Sequence, residues 1–289
     1  MRVGLVFNPH AGGGRAAAAA ESVQACLEHH GLEFVVRTTE EPQQATFMTA
    51  ELAPSVDAIV AIGGDGTVNE VINGLPGSDV PLGIVPAGTV NVLALELGLP
   101  FNVQKACEVI ARGHSRTLDL GRVDGRRFVL MVGVGLDALT IRELDQRAKK
   151  RYKELAFVWT GVRSYIRHPP VEFTMHVDGE PYTATYAVVG NCRYYGGRFG
   201  VTTRADPTDG LFDVLLYRDR GFGPAAAFWA GVPLGVHVHY PGVTYLRARH
   251  VEFEAPDEGT VWFQTDGELA GRLPALVEIE DKALRVFVP

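Results

Sequence analysis

Ala58-Ile59-Val60-Ala61-Ile62-Gly63-Gly64-Asp65-Gly66-Thr67-Val68-Asn69-Glu70-Val71-Ile72 decides how this chain is read. Ala58 to Ile62 is short, apolar and rich in β-branched residues, the composition of a strand buried on both faces. Gly63-Gly64-Asp65-Gly66 cannot continue that strand. Glycine admits positive φ and leaves bare backbone that a ligand can approach closely. Thr67-Val68-Asn69-Glu70 then opens a helix with Val68, Val71, Ile72 and Leu75 on one face. Strand, glycine turn and helix start bring unbonded N–H groups and the positive end of the helix dipole to one point, the geometry that holds phosphate. Asp65 is the anomaly: a carboxylate beside a phosphate repels it unless it orients a donor or works through a metal ion. A tight βα turn without a ligand is the plainer alternative, but three glycines in four residues exceed what such a turn requires.

Outward from this stretch the pattern repeats. Arg2 to Phe7 reads as a buried strand that runs into Asn8-Pro9-His10-Ala11-Gly12-Gly13-Gly14-Arg15. A helix is expected over Ala16 to His30, stopped by Gly31, then a strand over Leu32 to Arg37 ending at Thr38-Thr39. A helix over Pro42 to Leu52 precedes the central strand. Leu82 to Pro86 gives another strand, followed by the turn Ala87-Gly88-Thr89 and helices over Asn91 to Leu97 and Val103 to Arg112. Strands alternating with helices mean a parallel sheet covered on both faces. Ligands of such sheets collect outside the carboxyl ends of the strands, so the turns at Asn8 to Gly14, Gly63 to Thr67 and Pro86 to Thr89 converge on one crevice.

After about Leu118 the texture changes. Asp124-Gly125, Asp178-Gly179 and Asp266-Gly267 each sit between alternating apolar runs, the strongest short hairpin signal. A helical segment is expected from about Leu144 to Arg167, with Ala156, Val158, Trp159, Val162 and Ile166 as its apolar face, ended by Pro169-Pro170. The expected fold class is therefore α/β: an N-terminal αβα domain on a parallel sheet, residues 1–118, and a mostly antiparallel β domain, residues 119–282. The last strand, Ala283 to Val288, is expected to return to the first domain, and the active site to lie in the interdomain cleft.

The totals narrow the function. The chain has 289 residues, 46% hydrophobic and 21% charged, so it can bury a real core. A net charge of −7 argues against a general nucleic-acid binder. Cys26, Cys107 and Cys192 lie far apart, with no metal spacing and no even framework, which suits a reducing compartment. Met1-Arg2 leads directly into a strand, so no signal peptide is expected, and no apolar run approaches the ~20 residues of a spanning helix. The expected location is the cytoplasm, with peripheral contact at the inner membrane face. A homo-oligomer is compatible with all of this.

Several phosphate-binding patterns are absent. No Gly-Lys-Ser/Thr follows a glycine loop, and the protein-kinase set is missing. Gly133-Val134-Gly135-Leu136-Asp137-Ala138 imitates a dinucleotide fingerprint, but no clear βαβ unit surrounds it. The chain instead resembles the diacylglycerol kinase catalytic-domain family, specifically the bacterial soluble lipid kinases. The resemblance rests on Asn8-Pro9 with its glycine run, on Gly63 to Glu70, and on Pro86-Ala87-Gly88-Thr89-Val90-Asn91 with Ala94 and Leu97-Gly98-Leu99-Pro100. It continues through Gly190-Asn191 with Gly196-Gly197, Asp206-Pro207-Thr208-Asp209-Gly210-Leu211-Phe212-Asp213, and Asp266-Gly267-Glu268. The Gly-Gly-Asp-Gly-Thr block is shared with NAD kinases and phosphofructokinase-like enzymes; the later blocks point to lipid kinases.

The resemblance implies transfer of the γ-phosphoryl group of ATP to a lipid hydroxyl at a membrane surface. It assigns nucleotide contacts to Asn8, Thr39, Gly63, Gly64, Asp65, Gly66, Thr67, Asn69, Gly88 and Thr89. Asp65 would order the phosphate and metal network, Asp266 would accept the proton of the lipid hydroxyl, and Glu268 would support it. A magnesium site away from the phosphates would use Asp206, Asp209 and the Leu211 carbonyl, hard oxygen donors that suit that ion. Elementary chemistry agrees. Phosphoryl transfer needs positioning, charge stabilisation and one base near the nucleophile. A lipid acceptor further needs an apolar cleft or a membrane face, and Phe222 to Val238, with Phe228, Trp229, Val232 and Leu234, is suited to either.

Plainer alternatives stand beside these assignments. Asp266-Gly267 is also an ordinary hairpin turn, as Asp178-Gly179-Glu180 is. Asp206 and Asp209 also suit a solvated loop. His237 and His239 alternate along an expected strand, where a structural role is favoured over a metal because no third ligand is visible. Arg147, Lys149, Lys150, Arg151 and Lys153 make a solvated helix face or a contact for anionic headgroups. Two positions depart from the family. Val92 replaces an acid, in a form that resembles a bacterial variant, and Glu40-Glu41-Pro42-Gln43-Gln44 replaces the usual Gly-Asp-Ala after Thr39. A kinase for a soluble acceptor such as NAD, and a nucleotide-binding regulator without catalysis, are the competing readings.

Overall fold

Four segments build the parallel part of a ten-stranded sheet, and two of them, buried on both faces, carry no charged residue. The four are β1 (Arg2–Phe7), β2 (Glu33–Thr38), β3 (Ala58–Gly63) and β4 (Leu82–Pro86), paired in parallel in the order β2-β1-β3-β4. The computed structural model describes residues 1–75, 79–88, 90–143, 163–165, 167–195, 197–256 and 260–289. Every residue of β3 and β4 is buried. The covering helices are α1 (Arg15–His29), α2 (Gln44–Leu52), α3 (Asp65–Asn73), α4 (Val92–Glu96) and α5 (Val103–Arg112). Local chemistry sets their ends. Asn102 caps α5 by accepting the Lys105 amide at 3.0 Å, and Gly113 ends it in the left-handed region at φ 74°.

The cysteine expectation fails here. Cys26 on α1 and Cys107 on α5 are joined by a disulfide, with their Cα atoms 6.6 Å apart, while Cys192 is free and buried. The two partners are 81 residues apart in sequence, and only the packing of α1 against α5 brings them together.

The second half supplies β5 (Ser115–Val123), β6 (Arg126–Phe128), β7 (Met131–Val134), α6 (Leu136–Glu143), β8 (Phe173–Val177), β9 (Glu180–Ala184) and β10 (Tyr186–Gly190). After these come β11 (Tyr194–Tyr195), β12 (Phe199–Gly200), β13 (Phe212–Tyr217), α7 (Phe222–Gly231), β14 (Val243–Ala248), β15 (His250–Phe253), β16 (Trp262–Thr265), β17 (Glu268–Arg272) and β18 (Ala275–Phe287). A six-stranded antiparallel sheet has the order β14-β13-β10-β7-β16-β17. It packs on the antiparallel part of the first sheet through Phe128, Val132, Phe173, Phe212, Phe253 and Phe263. β18 is longer than expected. Its early residues pair antiparallel with β15 and β5, and Val286 pairs with Leu82 of β4, so one strand runs from the sandwich into the parallel stack.

Two other expectations resolve at this level. β7 is antiparallel to both its neighbours, so Gly133 to Ala138 does not open a parallel βαβ unit. His237 and His239 lie in a 3-10 turn rather than a strand, and the buried His237 has its Nε2 2.8 Å from the Val201 carbonyl. That turn follows Gly235, whose left-handed φ of 68° breaks the extended run the alternation suggested. Of the helical segment expected from Leu144 to Arg167, residues 163–165 and 167 are described and helical; the rest, with the basic run Arg147 to Lys153, lies outside the described residues.

Candidate active site

The three turns expected to converge do meet. A β-carbon on Gly88 would lie 2.5 Å from the Gly64 Cα, and one on Gly12 would lie 2.1 Å from the Ala87 carbonyl oxygen. No side chain fits between them, which accounts for glycine at both positions. Side chains then lock the turns together. Buried Asn91 donates from Nδ2 to the Gly63 carbonyl at 2.9 Å and accepts the Gly88 amide on Oδ1 at 3.3 Å. Arg15 donates to the carbonyls of Gly12 and Gly88 at 2.9 and 3.0 Å. Asn8 closes its own loop by accepting the His10 amide at 2.8 Å.

At the head of α3 the first intrahelical bond is donated by Val68 to Gly64. The Gly66 and Thr67 amides precede it and have no carbonyl partner among the described residues. Together with the helix dipole they make a concave, positively polarised site with the chemistry to take a phosphate chain. Thr67 lies over Gly63, where a β-carbon would meet its Oγ1 at 2.7 Å. Asp65 turns away from these amides: its Oδ1 accepts the Val92 amide at 2.7 Å, at the start of α4. Burial pushes the Asp65 carboxyl up to about 6; the Val92 and Leu93 amides oppose this, and the Asp266 charge adds to it. The bond at residue 92 uses the main chain, so Val92 itself is free to bury its side chain.

The opposing group comes from the turn between β16 and β17. Asp266 sits at φ 50° and Gly267 at φ 83°, the two left-handed residues of a tight hairpin. The Asp266 carboxylate accepts four hydrogen bonds. Oδ1 takes the Leu130 and Met131 amides at 2.9 and 3.0 Å, and Oδ2 takes the Val129 amide at 2.9 Å and Asn69 Nδ2 at 2.7 Å. Burial raises its pKa against the pull of these donors. Asn69 belongs to α3, so this contact spans the two halves of the chain. Glu268 pairs with Arg126, and its Oε1 lies 3.6 Å from where a β-carbon on Gly66 would sit.

The remaining assigned residues divide. Thr39 is buried, and its amide donates to the Phe7 carbonyl at 2.9 Å, beside the turn after β1. Thr89 lies outside the described residues. Asp206, Asp209 and Leu211 do not fit a cation as they stand. Asp206 Oδ1 accepts the Thr208 hydroxyl at 2.7 Å and Arg116 at 3.4 Å, and Asp209 is held by Arg247 and by the Leu211 amide. Among the described residues no group of three acids, histidines or cysteines forms a metal cluster. The sequence spacing of these oxygens suited magnesium, but guanidinium groups from two distant strands occupy them instead.

Three residues have a part in the site that the sequence did not assign them. Asp137, buried at the start of α6, accepts Tyr195 Oη at 3.0 Å and Gln264 Nε2 at 3.2 Å, and Gln264 Oε1 accepts the Gly267 amide at 2.7 Å. Burial pushes Asp137 up to about 6, with the Ala138 amide, Tyr195 and Gln264 opposing. This chain of bonds buttresses the Asp266 turn from beneath. Asp137 was visible as the acid of the false dinucleotide motif, but Tyr195 and Gln264 carried no local signal.

A two-lobed α/β protein with an amide cradle on one lobe and a clamped acid on the other defines a class, that of kinases built on this cradle. Comparison narrows it. Residues 2–123 match the model of the diacylglycerol kinase catalytic domain, and residues 130–288 match the YegS C-terminal NAD kinase beta sandwich-like domain. A diacylglycerol kinase of Mycobacterium tuberculosis is 31% identical over 298 residues, covering 100% of this chain and 95% of that protein. One from Bacillus subtilis is 27% identical over 279 residues, covering 94% and 91%. The crystal structure of a diacylglycerol kinase from Bacillus anthracis superposes with a TM-score of 0.80 at 25% identity, covering 100% and 97%. The chain belongs to the diacylglycerol kinase family, as the sequence motifs implied.

Proposed function

We propose that this protein is an ATP-dependent lipid kinase that moves the γ-phosphoryl group to a lipid hydroxyl. The observation that carries this reading is the 2.7 Å bond from Asn69 to Asp266, which holds an acid of the second lobe against the helix whose N-terminus forms the phosphate cradle. The Gly66 and Thr67 amides receive the phosphates, with Asn8, Thr39, Gly63, Gly64 and Gly88 lining the nucleotide path. Asp65 keeps the second glycine turn in place through Val92. The hydroxyl oxygen of the lipid attacks the γ-phosphorus, the bond from that phosphorus to the bridging oxygen breaks, ADP departs, and Asp266 takes the hydroxyl proton.

Three of the four contacts on Asp266 come from main-chain amides, which fix the carboxylate without moving. The Asn69 amide is on a side chain, and its rotation frees an Oδ2 lone pair for the proton. The raised pKa makes Asp266 a stronger base than an ordinary carboxylate, which suits an alcohol nucleophile. The test is transfer from labelled ATP to diacylglycerol, sphingoid base, ceramide and phosphatidylglycerol in mixed micelles, with NAD in detergent-free buffer as a further acceptor. Transfer to at least one lipid, lost in Asp266→Asn, is expected. Transfer to NAD alone, to nothing, or undiminished in the variant overturns the reading.

A further inference from the structure

α7 breaks a rule of soluble helices. From Phe222 to Val236 the chain has no charged side chain, and the Trp229 indole is its single hydrogen-bonding one. A helix apolar on every side is ordinarily buried. This one is buried only on its inner side. Ala225 and Phe228 enter the core, and Ala225 and Trp229 help wall a cavity of about 360 Å³ in the second lobe. Its outer side and the turn after it are open to solvent: Phe222 is 52% exposed, Leu234 76% and Val236 51%. The β11–β12 hairpin packs beside that turn and adds exposed Phe199.

The charges around this surface run against the rest of the molecule. The protein carries −7 in total, yet residues 181–205 and 220–251 contain no Asp or Glu, and the acid nearest α7 in sequence, Asp219, lines the inner cavity with Ala225 and Trp229. Arg198 and Arg204 stand exposed on the hairpin side, Arg204 over the Tyr245 ring, and neither makes an ion pair among the described residues. Arg220, at the foot of α7, is paired with Glu172 at 3.2 Å. The same hairpin touches α4, the helix that follows the glycine turn at Gly88. The other exposed phenylalanines, Phe47 on α2 and Phe101 before α5, lie in the first lobe.

We propose that the outer face of α7, with Leu234, Val236 and Phe199, is the surface on which the protein rests against an anionic lipid bilayer. The apolar face enters the acyl boundary while the flanking arginines meet the headgroups. The inference rests on the lipid-kinase reading for its purpose, but its test is independent of catalysis. The full chain is sedimented with vesicles of phosphatidylcholine alone or mixed with phosphatidylglycerol, as wild type, Phe222→Glu/Leu234→Glu, and Phe47→Glu as a control with unchanged melting temperature. Salt-sensitive binding to the mixed vesicles, weakened more than 10-fold in the double variant and within 2-fold in the control, is expected. On a water-soluble short-chain diacylglycerol the double variant is expected to work within 2-fold of wild type, and on the vesicle-embedded lipid more than 10-fold slower. Equal binding by the double variant, no binding by wild type, or a change of the variant from oligomer to monomer without loss of vesicle binding overturns the proposal. Vesicle binding without phosphorylation of any lipid overturns the kinase reading and leaves this surface standing.

Discussion

Asp178-Gly179-Glu180 and Asp266-Gly267-Glu268 are the same three residues in the same turn. The φ values are 48° and 89° at the first and 50° and 83° at the second. Each aspartate even accepts main-chain amides from a neighbouring segment, Arg249 and His250 at one turn and Val129, Leu130 and Met131 at the other. What differs is what lies opposite. Asp178 is exposed at the end of the sheet. Asp266 is partly buried and bonded to Asn69, 197 positions away, at the cradle of the other lobe. A turn sequence therefore fixes backbone shape and leaves the chemistry of its carboxylate to the surroundings.

The comparison breaks most directly with paired substitutions. Asp266→Asn is expected to lower kcat for lipid phosphorylation by about 10²–10⁴, the usual worth of a positioned proton acceptor, while Asp178→Asn changes it less than about twofold. Equal losses in steady-state assays would erase the distinction. Next in size is Asn69→Ala. It removes a donor that stabilises the charged form of Asp266, so the carboxyl pKa rises further. The acid limb of the kcat/KM pH profile should move to higher pH, and denaturant unfolding should show a loss of about 1–3 kcal/mol for the bond between the lobes. An unmoved acid limb with intact turnover would mean that Asn69 only braces the fold.

Asp137 sharpens the contrast, because it lies buried beneath the Asp266 turn and is linked to it through Gln264. Its folded value of about 6 lies above the ordinary 3.8, so the folded chain binds more protons between those values and stability falls as pH rises through that window. Asp137→Asn should flatten the fall by up to about 1.4 kcal/mol per pH unit, read from urea unfolding at pH 4, 5 and 6. The smallest effect belongs to Arg126→Ala. Its pair with Glu268 is substantially exposed, so melting curves should shift by no more than about 0.2–1 kcal/mol.

Much of this protein follows from the chain read residue by residue. The parallel strands, the glycine turns and the three Asp-Gly hairpins depend on steric freedom and burial pattern, which are properties of neighbours in sequence. β1 and β4 and the helix Val103–Arg112 have the limits expected of them for that reason. Other features needed the folded molecule. The Cys26–Cys107 bridge, the arginines on Asp206 and Asp209, the 3-10 turn at His237, and the Tyr195–Asp137–Gln264 chain each join segments that no local pattern links. Sequence determined which turns form, because φ and ψ preferences are local. The fold alone decided which aspartate faces the amide cradle of α3, because burial and hydrogen-bond partners belong to whatever the chain brings alongside.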